Sequence, residues 1–214
     1  MNAPSPARLP QRVTLDGRYA RLDPLGPQHV ADLYRAAAGQ EQRFSYLFET
    51  APASEEAMAD WVARAAAKDD PLYFAVIDKA TGRAEGRQSL MRITPEHGVI
   101  EIGGIYWGPD ISRTRVTTEA LFLHARYVFD ELGYRRFEWK CNDLNEPSKV
   151  AARRFGFTFE GVFRQHMIIK GQSRDTAWFS MLDGEWPGIR AGFERWLEPE
   201  NFDADGMQKS KLRF

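Results

Sequence analysis

Residues 99–107 read Val-Ile-Glu-Ile-Gly-Gly-Ile-Tyr-Trp, and both alternations of this strand-like run are apolar. Val99, Ile105 and Trp107 lie on one, Ile100, Ile102 and Tyr106 on the other. A strand with one wet face alternates apolar with polar, so a run apolar on both sides belongs in the middle of a sheet covered twice. That limits the chain to a layered α/β arrangement. Val13-Thr14-Leu15, Asp16-Gly17 and then Tyr19 to Leu22 read as strand, tight turn and strand. Val30, Leu33, Tyr34 and Ala37 make a helical stripe between Pro27 and Gly39. Ser54 caps a second helix with Met58, Trp61, Val62 and Ala65 on its inner face. Strands follow at 72–78, 84–94 and 98–107. The loop from Gly108 to Arg115 feeds a long helix that stops at Leu132, before Gly133. A short strand (136–140), a helix capped by Asn145, an antiparallel pair (157–170 and 174–182) and a short helix (188–197) complete the reading. The order β, α, α, β, β, β, α, β, α, β, β implies a mixed sheet with helices on both faces.

Several function classes fall away. With 29 Lys+Arg against 30 Asp+Glu the net charge is −1, unlike the basic excess of a dedicated nucleic-acid binder. One cysteine excludes an intramolecular disulfide and a Cys-rich zinc site; Cys141 reads as a strand-end filler. His29, His97, His124 and His166 lack ligand spacing, so no metal is expected. There is neither a Gly-x-Ser-x-Gly elbow nor a Walker-type loop. Residues 201–206 imitate half a calcium loop, but Leu212 stands where the bidentate Glu is needed. No apolar run approaches the ~18 residues of a membrane span, and the start has no apolar stretch for a signal peptide. A soluble cytoplasmic protein is the expectation.

The chemistry concentrates in residues 101–182. Gly103-Gly104 suggest a bulge or a close backbone approach. A strand splayed there would expose N–H and C=O groups to an extended amide-bearing ligand such as the pantetheine arm of coenzyme A. The following loop and helix N-terminus gather amides that suit a pyrophosphate.

Thr118-Glu119-Ala120, the helix through Tyr127-Val128-Phe129, Leu132-Gly133, Asn145-x-x-Ser148 and Phe155-Gly156-Phe157-x-x-Glu160-Gly161 resemble the GNAT N-acetyltransferases, most closely the RimJ/RimL-like branch. Leu15-Asp16-Gly17 with Leu22-x-Pro24-Leu25, Gly171-x-x-x-Asp175 and Glu185-Trp186-Pro187 belong to the same pattern. The resemblance runs over residues 12–187. It implies one GNAT-like α/β domain with a mixed, mostly antiparallel central sheet flanked by helices on both faces. Residues 1–11, with three prolines and few apolar residues, read as a mobile arm, and the helix and tail at 188–214 go beyond the resemblance. Trp196 and Phe202 of that tail either pack back on the core or mediate a homodimer. The implied co-substrate is acetyl-CoA, with no metal. The implied acceptor is a peptide N-terminus or a small-molecule amine, which attacks the thioester directly; nucleic acid and membrane are not partners.

One departure stands out. Counting back from Glu119, the glycine positions of the family's pyrophosphate loop hold Arg113 and Arg115. Arginine there either grips phosphate with its fork or obstructs it, and a coenzyme-binding module without turnover is the alternative reading. On the family pattern, Arg113, Thr114, Arg115, Val116, Thr117 and Thr118 face the pyrophosphate, and Asn145 is cap and coenzyme contact together. The N–H groups at Gly104 and Ile105 are the oxyanion donors, and Ser148 reaches the coenzyme sulfur. Glu101 shares the alternation of Val99, Ile105 and Trp107. That apolar setting would raise its pKa toward that of a useful base, unless it is solvated or paired with an arginine. Tyr106 is a reserve acid. Lys149, Arg153 and Arg154 either meet the coenzyme's 3′-phosphate or form a wet helix face. The acceptor side draws on the first two helices, the 40–53 loop and the hairpin, with Phe44, Tyr46, Phe48, Phe163, Arg164 and His166.

Overall fold

The computed structural model describes residues 6–214. Its strands are β1 (Leu15–Asp16), β2 (Ala20–Pro24), β3 (Leu72–Asp78), β4 (Arg83–Thr94), β5 (Val99–Trp107), β6 (Arg136–Asn142), β7 (Thr158–Ile169) and β8 (Gln172–Leu182). The helices are α1 (Val30–Ala37), α2 (Glu55–Ala66), α3 (Arg115–Arg126), α4 (Glu146–Arg154) and α5 (Trp186–Trp196). One 8-stranded sheet runs β1-β2-β3-β4-β5-β6-β8-β7. Every neighbouring pair is antiparallel except β5 and β6, which are parallel. The expected mixed, mostly antiparallel sheet with helices on both faces is therefore what the chain builds, and β5 is central. No helix among the described residues is long and apolar enough to cross a membrane.

The two faces are covered by different helices. Leu33 and Ala37 of α1 and Met58, Val62 and Ala65 of α2 pack on Ala75, Ile77 and Tyr106. The opposite face carries the larger core, in which Leu121 and Phe122 of α3 and Phe193 of α5 meet Phe74, Ile100, Ile102, Phe137 and Phe179. Helix α3 is buried from Val116 through Ala125 because α5 and the C-terminal tail cover the side it turns away from the sheet. Trp196 and Phe202 belong to this core, with Trp196 Nε1 donating to Gln208 Oε1 at 2.9 Å. Of the two sequence alternatives for these residues, packing back on the core is the one observed. The expected mobile arm falls partly on residues 1–5, outside the described residues. Its remainder is tied down: Ala7 N–H donates to Pro95 O, Arg8 N–H to Leu132 O and Gln11 N–H to Tyr127 Oη.

Glu119 joins α3 to the β1–β2 turn. Its carboxylate accepts the backbone N–H groups of Arg18 at 2.8 Å, Tyr19 at 2.5 Å and Ala20 at 2.6 Å. The turn has to carry glycine at its corner, because a Cβ on Gly17 would stand 2.5 Å from Glu119 Cδ. Glu119→Gln should therefore destabilise the protein by about 1–3 kcal/mol in urea denaturation, since an amide NH2 would oppose one of these donors.

His124 is fully buried under Phe74, with Nδ1 2.9 Å from Gln88 Nε2. Burial pushes its pKa down from 6.5 to about 3. Between those values the unfolded chain binds a proton that the folded chain refuses, so stability falls as the pH drops below 6.5. The slope contributed by one such group is about 1.4 kcal/mol per pH unit. A His124→Phe variant, unfolded in urea across pH 4–7, should lose about that one-proton slope.

Candidate active site

The centre of the site is one extra residue in β5. Ser89 of β4 pairs with Gly103 but Arg87 pairs with Tyr106, so Gly104 and Ile105 bulge out of register. Gly104 adopts φ +57°, and a Cβ there would come 2.6 Å from Tyr73 Oη, so backbone conformation and space both require glycine. The two bulge carbonyls are occupied: Ser89 Oγ donates to Gly103 O at 2.9 Å and Arg87 Nη1 to Gly104 O at 2.8 Å. On the other side, β5–β6 pairing stops at Ile102 and Trp139, although β5 continues to Trp107 and β6 to Asn142. The two parallel strands part there. Gly104 and Ile105, the expected oxyanion donors, lie in the part of β5 beyond the end of that pairing.

The connections that leave β5 and β6 lead to two helix N-termini. Thr114 caps α3, its Oγ1 accepting Val116 N–H at 3.2 Å and donating to Ile111 O at 2.7 Å. The hydroxyls of Thr117 and Thr118 bond back to Thr114 O, and so does the Thr118 N–H, at 3.4 Å. Among the described residues, the amides of Arg113, Arg115 and Thr117 find no backbone acceptor. Arg113 is exposed and adopts φ +65°: the loop keeps the left-handed conformation that suits glycine, with an arginine at that point. Arg115 does not aim at the loop. Its guanidinium lies 4.3 Å from the ring centroid of Tyr19 and 5.2 Å from that of Phe202.

Asn145 caps α4 by accepting Ser148 N–H at 3.2 Å. Ser148 Oγ accepts from Trp139 Nε1 at 2.9 Å, which fixes the oxygen beside the Cys141 sulfur. Nearby, burial pushes the Cys141 thiol up. Of the three cations on α4, Lys149 is paired with Asp143 and Glu146 and Arg153 lies over Phe159 and Phe179. Arg154 is half-buried and donates to Thr118 Oγ1 at 3.1 Å.

The bulge corrects two sequence expectations. The added residue reverses the alternation, so Ile105 and Trp107 pack with the α3 core while Glu101 turns to the α1–α2 face. There Glu101 is buried, and its setting is ionic rather than apolar. Oε2 receives Arg92 Nη1 at 2.7 Å and Lys140 Nζ at 2.9 Å, and Lys140 also pairs with Glu138 at 2.6 Å. Glu101 remains beside the bulge, with Oε1 3.4 Å from a Cβ built on Gly103. Tyr106 is not brought to the opening. Its hydroxyl donates to Ala36 O at 2.7 Å, its ring stacks on Phe44, and burial pushes its pKa up to about 12. It is a core residue.

Four residues on the α1–α2 face of the bulge have no counterpart in the sequence reading: Tyr73, Arg87, Ser89 and Glu49. Arg87 is 3% exposed, pairs with Glu49 and lies 4.0 Å from the Trp61 ring centroid. A cleft of about 290 Å³ opens between Phe44, Glu49, Met58, Trp61 and Arg87. The available signal was the polar run Arg87-Gln88-Ser89 inside a strand adjoining the central one. Of the expected acceptor-side residues, Phe44 is core, Tyr46, Phe48 and Phe163 are exposed, and His166 Nδ1 lies 3.0 Å from Thr176 Oγ1. Arg164 is exposed. Among the described residues no group of three His, Cys, Asp or Glu could hold a metal ion.

Comparison with known proteins gives a consistent result. The acetyltransferase (GNAT) domain family matches residues 20–158. A GCN5-related N-acetyltransferase from Brucella melitensis, solved by crystallography, is 56% identical, with a TM-score of 0.95 over 97% of this chain and 96% of that one. The uncharacterized N-acetyltransferase p20 of Bacillus licheniformis is 30% identical over 119 residues, 54% of this chain. The putative ribosomal N-acetyltransferase YdaF of Bacillus subtilis (strain 168) is 30% identical over 104 residues, 48% of this chain. The matched stretches span 64% and 56% of those two curated relatives.

Arg113 allows a direct check on the loop. Arg113→Gly should raise stability by about 0.5–1 kcal/mol, because the left-handed conformation costs an L side chain more than glycine. Equilibrium unfolding in urea measures it.

Proposed function

Because the chain belongs to the acetyltransferase (GNAT) family, we propose that it is an N-acetyltransferase whose donor, acetyl-CoA, enters between β5 and β6. The observation that carries this reading is the end of β5–β6 pairing at Ile102 and Trp139, beside a bulge whose carbonyls are already engaged. An extended ligand bearing amides can pair with the freed edge of β5. The unpartnered amides of Arg113, Arg115 and Thr117 suit the pyrophosphate, with the exposed Arg113 guanidinium added to them. Arg154, behind the first turn of α3, adds positive potential. Asn145 holds the N-terminus of α4 against the coenzyme.

The donor supplies an activated acetyl group as its thioester. Gly104 and Ile105 offer N–H groups to the charge that develops on the carbonyl oxygen; one such donor is commonly worth about 10²–10³ in rate. Ser148, its oxygen fixed by Trp139, donates its O–H toward the departing sulfur. The acceptor approaches from the α1–α2 face as an ammonium ion and must lose a proton before it attacks. Glu101, the carboxylate beside Gly103, takes that proton directly or through a water. Arg92 and Lys140 keep the carboxylate in position.

For the acceptor we favour a primary amine on a peptide N-terminus or a small molecule. The name of one relative, putative ribosomal N-acetyltransferase, points to the former. Use of acetyl-CoA fits a cytoplasmic enzyme. The rival reading, coenzyme binding without turnover, is prompted by arginines in the glycine positions; the left-handed backbone kept at Arg113 counts against it.

Release of free thiol from acetyl-CoA over a panel of peptides and small amines tests the assignment. Turnover with at least one amine is expected; coenzyme binding without release for every amine would overturn it. Glu101→Gln should lower kcat about 10²–10³-fold at pH 7, with coenzyme affinity unchanged. The deficit should shrink as the pH rises and the acceptor deprotonates on its own. An equal loss at every pH would make Glu101 a structural residue.

A further inference from the structure

Near the start of strand β8 lies a buried cation with no salt-bridge partner among the described residues; Glu101 attracts it only through space. Arg174 is 8% exposed, its Nε is buried with no hydrogen-bond partner, and it forms no salt bridge among the described residues. The other buried cations on this face are matched, Lys140 by Glu101 and Glu138 and Arg87 by Glu49. The nearest acid in sequence is committed elsewhere. Opposite Asp175 the β7 strand bulges, with Phe163 paired to Thr176 and Met167 to Arg174. Asp175 Oδ1 there accepts Gln165 N–H at 2.7 Å. The Arg174 guanidinium lies over Phe48, 5.4 Å from the ring centroid. Such stacking recovers part of the cost of dehydrating a guanidinium but satisfies none of its N–H groups.

Its location gives the vacancy a use. Asn142, the last residue of β6, pairs with Thr176, so Arg174 stands just beyond the end of β6, at the mouth of the β5–β6 opening. It shares the β8 alternation of Thr176 and Trp178, the residues paired with Asn142 and Lys140, and so faces the same side as Glu101. The ring beneath it belongs to the 40–53 loop, which overhangs the acceptor side. A buried, unpaired cation is costly unless a ligand completes it, and a guanidinium is matched best by a carboxylate taken two-point.

Resting on the acetyl-transfer reading above, we propose that Arg174 recognises a carboxylate on the acceptor, and that the substrates are primary amines bearing one. The carboxylate could come from a free amino acid or from an acidic side chain near a peptide N-terminus.

Paired acceptors separate these sources: an amino acid against its α-amide, and peptides differing only by Glu against Gln at the second residue. With acetyl-CoA and the wild-type protein, at least one pair should favour the carboxylate in kcat/KM by about 30-fold or more. Arg174→Met should abolish that preference while acetyl-CoA affinity and the rate on the neutral partner stay within about twofold, and Arg174→Lys should restore part of it. Acetylation of both members of every pair at equal rates overturns the Arg174 assignment and leaves acetyl transfer standing. A preference that survives in Arg174→Met overturns it as well. If no amine is acetylated at all, both readings fall. Should Arg174→Met not fold, the wild-type ratios alone decide.

Discussion

The single added residue at Gly103-Gly104 is the constraint on which the rest of the molecule turns. Without it β5 would run straight between β4 and β6, paired on both edges, and the sheet would be closed. With it, the strand twists away after Ile102, and its parallel neighbour can no longer follow. The local cost is met from β4, whose Arg87 and Ser89 satisfy the two displaced carbonyls. The helices are then placed by connection: β5 and β6 run parallel, so the loop after β5 and the turn after β6 start α3 and α4 from the same end of the gap.

Beside the gap, the sheet carries charge where a helix would otherwise lie. Arg92, Glu101, Lys140, Glu138, Arg136 and Glu160 alternate in sign across β4, β5, β6 and β7, and Lys140 lies 3.9 Å from the ring centroid of Trp178. The inner pairs, Lys140 with Glu101 and Glu138, are buried and add little net stability compared with apolar packing, since dehydration offsets much of the attraction. What they supply is fixed orientation. The bidentate Arg136 holds the Glu160 carboxyl down at about 2, so the outer end of the row stays ionised through ordinary pH.

Much of this was readable from residue order. Apolar periods, Pro and Gly stops and the caps Ser54 and Asn145 locate the helices, and the doubly apolar 99–107 run identifies the central strand. The glycine pair announces the bulge. What sequence alone could not carry through was the consequence of that bulge for its own strand. Strict alternation groups Glu101 with Ile105 and Trp107, whereas one inserted residue sends them to opposite faces and turns Tyr106 into the core. Arg115 was hidden for a different reason. Its partners, Tyr19 and Phe202, are remote in sequence, and nothing local says that a guanidinium beside a phosphate-type loop will turn back to stack. Tyr73, Arg87 and Glu49 meet only after β3, β4 and the 40–53 loop have assembled.

That stack has a mechanical meaning. Tyr19 comes from the turn after β1, Phe202 from the tail, and Arg115 from the first residue of α3, so three distant stretches share one joint. Glu119 bolts the same turn to the same helix one revolution later. The start of α3 is thereby braced from outside before any ligand arrives, and its amides need little reordering to receive one. The C-terminal residues, remote from the gap, act as a splint for it: a cut after α5 would be felt at the far end of the molecule as slack in α3.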